Sequence, residues 1–97
     1  MRYEFHPEAL DEYEAAAHYY AEKEPGLDLR FILCVEDAIE AILEDPLRWR
    51  RFDEDVRRCL TRVFPYAILY TIEDDYALIV AVAHCSREPT YWKHRVS

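Results

Sequence analysis

Apolar residues recur in two rhythms along this chain, and the period changes near residue 46. Residues 2–5, RYEF, alternate and are rich in aromatics, which predicts a short strand. His6-Pro7 ends it, since Pro7 cannot extend a central ladder but suits the first turn of a helix. Ala9, Leu10, Tyr13, Ala16, Ala17 and Tyr20 then recur every three or four positions and predict a helix over 8–23. Glu8, Asp11 and Glu12 lie near its positive end. Pro25 and Gly26 break it; Gly26 is free to take a positive φ. Leu27, Phe31, Ile32, Val35, Ala38, Ile39 and Ile42 predict a second helix over 27–44, stopped by Asp45-Pro46. So tight a break between the two implies an antiparallel helical hairpin.

Beyond residue 46 the period shortens toward two. Residues 57–64, 66–72 and 76–84 read as strands, separated by Pro65 and by the Glu-Asp-Asp turn at 73–75, and so as an antiparallel meander. The third is nearly all apolar, as expected of a central strand buried on both faces, and the strand at 2–5 is expected beside it. The order β-α-α-β-β-β predicts an α+β fold, with the helical hairpin packed on a small antiparallel sheet, in one domain spanning residues 1–97. Residues 88–97 are expected to add a short terminal helix after Pro89.

A chain of 97 residues buries only about 60–65% of its unfolded surface, so a partner could contribute to its working stability. Its single glycine argues against a phosphate-cradling loop. There is no apolar run of membrane-spanning length, and MRYEFHPEAL lacks the apolar region of a secretory signal, so a cytoplasmic protein is expected. Cys34, Cys59 and Cys85 are odd in number and widely spaced, which argues against a disulfide framework; each is expected to be a small apolar core residue. The four histidines show no ligand spacing, and neither metal nor cofactor is expected.

The net charge of −8 is unevenly distributed. Residues 1–45 carry three Lys or Arg against thirteen Asp or Glu, whereas residues 46–97 carry nine against seven. The acidic first half should repel nucleic acid and attract a basic protein surface.

The candidate chemistry lies toward the end of the chain. A serine-centred triad is excluded, because Ser86 and Ser97 are the only serines, and Cys85 next to His84 on a strand would face the other way. Cleaving RNA through its 2′-OH needs a base, cations around the phosphate and an acid, roles open to Arg62, His84, Arg87 and Tyr91. The plainer reading makes Arg62 a sheet-face arginine, His84 a strand cap and Tyr91 edge packing, and the charge of −8 favours it. The helix carboxylates read as a solvated face. Eight tyrosines exceed what so small a core requires, so some are expected in a groove that a partner covers.

Four segments in this order, YEFHPEALDEYEAAAHYYAEKEPGLDLRFI (3–32), AIEAILEDPLRWRRF (38–52), VRRCLTRVFPYAILYTIEDD (56–75) and AVAHCSREPTYWKHR (81–95), make the chain resemble the RelE/ParE superfamily of type II toxin–antitoxin toxins, and most closely its ParE branch. The resemblance implies a β-α-α-β-β-β toxin neutralised by an antitoxin that wraps around it, with DNA gyrase as target. RelE-like relatives instead cut ribosome-bound mRNA, and of their pattern this chain offers Arg62, His84, Arg87 and Tyr91. The lysine-rich segment of those relatives reads RWRRFDEDVRR here, which favours gyrase inhibition without catalysis. A member that only binds its antitoxin is the third reading. His84, Arg87, Tyr91, Trp92 and Arg95 are the expected target-binding residues, and Tyr13, Tyr20, Asp28, Phe31, Glu36 and Glu40 the expected antitoxin-binding ones. The antitoxin segment should then be basic with apolar anchors, and no direct nucleic-acid binding is expected without it.

Overall fold

The structure is a computed structural model that describes residues 1–96. Its elements are β1 (Arg2–Phe5), α1 (Pro7–Lys23), α2 (Leu27–Glu44), β2 (Arg51–Asp53), β3 (Val56–Leu60), β4 (Tyr66–Ile72) and β5 (Tyr76–His84). The helical hairpin lies on one face of a five-stranded sheet of order β1-β5-β4-β3-β2. The α+β architecture is the expected one, and β1 does lie beside β5.

Local chemistry explains the helix boundaries. His6 caps α1, its Nδ1 accepting the Glu8 N–H at 3.1 Å, with Pro7 in the first turn. Gly26 stands before α2 at φ 86°, a conformation that costs glycine no steric strain. Small Ala9 and Ala16, seven apart, let α1 settle closely on the sheet, and α2 buries Phe31, Val35, Ala38, Ile39 and Ile42 beside it.

Three features depart from the sequence reading. The sheet is mixed, because β1 pairs with β5 in parallel while β2 through β5 form antiparallel neighbours. Between β1 and β5 the chain runs through both helices and then the antiparallel strands β2 to β4, and it re-enters beside β1 in the same direction. An extra strand, β2, adds an edge; its three residues include two charged ones, so it carries no periodic signal. The strand expected over 57–64 stops at Leu60, since Val63 sits at φ 71° and the Thr61 Oγ1 donates to the Phe64 carbonyl at 2.9 Å. The short helix expected over 88–97 is, among the described residues, a set of turns with one 3-10 turn at Lys93–Arg95; residue 97 lies outside them.

Both faces of the sheet are covered. Helices and sheet enclose the main core, which includes Phe31, Ile39, Ile42, Ile68, Tyr70 and Ile79. A second core on the opposite face gathers Val56, Ala67, Leu69, Val80, Ala81 and Ala83 around Trp92, which the C-terminal segment supplies. Among the described residues, no helix is long and apolar enough to cross a membrane.

Candidate functional site

β1 is shorter than its neighbour, and that mismatch shapes the C-terminal end of the chain. Its pairing ends at Phe5 opposite Ile79, followed by one bond from the His6 N–H to the Ile79 carbonyl at 2.9 Å. β5 runs on to His84, so its edge needs other partners there. Arg95 donates to the Val80 carbonyl, and the Glu12 carboxylate accepts the Val82 N–H, both at 3.0 Å. The two side chains also bind each other in a fork: Arg95 Nη1 to Oε1 and Nη2 to Oε2, each 3.0 Å. The Tyr91 hydroxyl donates to Glu12 Oε2 at 2.6 Å. One carboxylate of α1 thus closes the β5 edge and clasps the tail. Burial, and then the bond to Glu12, push the Tyr91 phenol far above its ordinary pKa.

This clasp divides the expected target-binding residues. Trp92 is 1% exposed and the Arg95 side chain 5%, so both belong to the interior rather than to a contact surface. The reason is that Trp92 fills the second core while Arg95 satisfies a strand edge and a carboxylate. Tyr91 is half-buried, and its ring carries the Arg87 guanidinium at 3.9 Å and that of Arg95 at 5.1 Å. His84 is half-buried at the end of β5, edge-on to Tyr66 at 5.1 Å. Its Nδ1 accepts the Ser86 N–H at 3.0 Å and lies 2.7 Å from Ser86 Oγ, which places the proton of the neutral ring on Nε2.

His84, Arg87 and Tyr91 line one cavity of about 110 Å³ on the sheet face opposite the helices. Ala67, Leu69 and Ala83 of β4 and β5 also line it, with Phe52, Cys85, Glu88, Pro89 and Trp92. Arg58 of β3 contributes too, its guanidinium 5.5 Å over the Phe52 ring. Arg58 and Arg87 are exposed, and among the described residues neither has a carboxylate within ion-pair reach. Arg62 is exposed on the β3–β4 turn and does not line this cavity, so the four candidate catalytic residues do not converge. A larger cavity of about 770 Å³ touches the other side of Trp92, but its cations are engaged: Lys93 with Asp53 at 3.2 Å, Arg51 with Asp55 at 3.8 Å, and Arg57 with the Trp49 carbonyl at 2.6 Å.

The expected antitoxin-binding residues are also divided. Phe31 is completely buried, packed against Tyr20, Phe64 and Tyr66, and offers no contact surface. Tyr13 and Tyr20 are half-buried, and Tyr13 donates to Glu36 across the helix pair at 3.0 Å. Glu36 and Glu40 are exposed and Asp28 is half-exposed, along an outer face of α2 that also exposes Leu29 and Leu33. The two leucines, four apart, lie outside the inward stripe, which is why periodicity passes over them. Of the free cysteines only Cys59 is in the core, where burial pushes its thiol up to about 11; Cys34 is half-buried and Cys85 exposed, so the core expectation fails for Cys85.

Glu12 is the residue that sequence reasoning missed, having been grouped with the solvated carboxylates. Its position carried a signal: it lies three residues after buried Ala9 and four before buried Ala16, on the inward face of α1.

A profile of the family described as the ParE toxin of type II toxin-antitoxin system, parDE, matches residues 3–89. The chain belongs to the ParE toxin family. Among solved structures, this ParE-family chain is similar to one titled "Chromosomal ParDE TA system from P. aeruginosa", with 14% identity and a TM-score of 0.75 over 87% of this chain and 95% of that one. At that identity the likeness is one of fold. No curated protein matches. The profile ends at Pro89, and the clasp residues Tyr91, Trp92 and Arg95 lie beyond it.

Proposed function

We propose that this ParE-family chain is a cytoplasmic growth-arresting toxin that acts as one domain, inhibits DNA gyrase without catalysis and is held inactive by a cognate antitoxin. Family membership supports the toxin–antitoxin setting. The observation that carries the non-catalytic reading is the state of the candidate chemical groups. His84 Nδ1 is engaged by Ser86, the Tyr91 phenol is bound to Glu12, and Arg62 stands away from both. A metal-independent ribonuclease needs those groups to meet on one phosphate. The surface offered to the target is Arg87 with His84 and the exposed edge of Tyr91, joined by Arg58. The antitoxin lies on the outer face of the helices, where Asp28, Glu36 and Glu40 attract a basic segment and Leu29 and Leu33 take its apolar side chains.

A brief expression experiment tests this. Gyrase-linked DNA breaks with intact ribosome-bound mRNA are expected. Codon-spaced mRNA cuts by primer extension would establish the ribonuclease instead, and normal growth with neither lesion would leave a protein that only binds its antitoxin.

A further inference from the structure

We infer that the cavity of about 110 Å³ between Arg58 and Arg87 is an anchor pocket for a partner peptide carrying one apolar side chain beside a carboxylate. The inference rests on the reading above, that an antitoxin neutralises the chain, and names the chemistry of a second segment of that antitoxin. The cavity is far smaller than the ~300–1,000 Å³ of small-molecule sites. It suits a single side chain. Ala67, Leu69 and Ala83 give it an alkyl floor that rewards hydrocarbon, while His84, Cys85 and Glu88 line it together with the two arginines.

The rim carries the opposite character. Arg58 and Arg87 rest on Phe52 and Tyr91 respectively, so both guanidiniums are held in place by aromatic faces. Neither has a carboxylate partner among the described residues, although the chain carries 20 Asp and Glu. A peptide carboxylate would complete either one in a forked pair. An RNA base could stack on the same groups, but Glu88 stands in the lining and the chain's charge of −8 opposes a polyanion far more than a peptide with one or two carboxylates. The antitoxin is therefore expected to change character along its length, basic over the helices and acidic around an apolar anchor at the sheet. That second segment would cover Arg87 and so mask the surface assigned to the target.

The test is an NMR titration of the ¹⁵N-labelled chain with blocked heptapeptides having a central leucine flanked by glutamates. Controls carry lysine flanks, or a central alanine, and a short single-stranded RNA is titrated alongside. The glutamate–leucine peptide should shift the Ala67 and Ala83 amides saturably, and its affinity should fall about tenfold or more when the leucine becomes alanine. Ala83→Leu fills the pocket and should abolish the shifts. Because that variant adds bulk beside the second core, the doubly substituted Arg58→Glu/Arg87→Glu, at exposed positions, is the second test and should prefer the lysine-flanked peptide. Equal response to all peptides, no saturable response at millimolar concentration, or tighter saturation by RNA would each overturn the inference. A chain that ignores gyrase yet takes the glutamate–leucine peptide keeps the pocket and loses the toxin reading. The converse result separates the two the other way.

Discussion

Replacing Glu12 by glutamine should loosen the whole C-terminal end of the chain. The carboxylate accepts four hydrogen bonds, from the Val82 N–H, the Tyr91 hydroxyl and two Arg95 nitrogens. Glutamine keeps the shape but turns one acceptor into a donor, which must face an Arg95 nitrogen together with either the Val82 N–H or the Tyr91 hydroxyl. Removing one partner of a buried ion pair costs about 3–5 kcal/mol. The Glu12 side chain is 16% exposed and that of Arg95 5%, so the low end, about 3 kcal/mol, is the expected loss. A domain of this size holds about 5–15 kcal/mol in total, so the variant should be visibly marginal. Its melting temperature should fall by roughly 12 °C or more, at ~4–8 °C per kcal/mol. Urea denaturation of Glu12→Gln, Arg95→Gln and the double variant measures the coupling, which should exceed about 1.5 kcal/mol if the fork is real. Exchange of the Trp92 indole proton should quicken in both single variants, since the tail that holds it is released. A loss below about 1 kcal/mol, typical of an exposed pair, or simple additivity would refute the clasp.

Other consequences are as direct. Val63 is 80% exposed at φ 71°, so Val63→Asn should relieve backbone strain and raise stability by about 1 kcal/mol in the same denaturation assay; a loss would show that the turn needs valine. Burial raises the Tyr70 phenol to about 12, and burial with a bound carboxylate raises Tyr13 and Tyr91 further. Phenols with raised folded pKa values favour the folded state fully below the unfolded value of about 10, and that contribution is lost as pH rises through the folded values. The urea midpoint should therefore fall between pH 9 and pH 12, with tyrosinate absorbance appearing late; a flat midpoint, or all phenols ionising near 10, would contradict this. Changing Asp28, Glu36 and Glu40 to lysine should weaken antitoxin binding at low salt and flatten its salt dependence, whereas unchanged affinity and salt slope would remove the electrostatic part of the account.

Much of the fold was legible because its signals are local. The stripe from Leu27 to Ile42, the Gly26 break and the short aromatic and apolar run at 66–72 report what each segment needs to bury, and the elements appear there. β2 was not legible, since Arg51, Phe52 and Asp53 owe their strand to pairing with β3 across a turn that holds Glu54 at φ 51°. The direction of β1 was hidden for a related reason, because chain path rather than composition sets it. At the site, His84 ends β5 and Arg87 follows in an exposed turn, whereas Trp92 and Arg95, expected on a contact surface, are buried. Charge and aromaticity near a terminus look like a contact surface until the partner that buries them is known. That partner, Glu12, lies 83 residues away from Arg95, beyond the reach of any local pattern.

The central claim is tested most directly with purified gyrase, relaxed plasmid and the purified chain. The account predicts that the chain blocks supercoiling and that Arg87→Glu, an exposed substitution outside the Glu12–Arg95 fork and both cores, restores it at equal concentration. Full supercoiling in the presence of excess folded wild-type chain would contradict it.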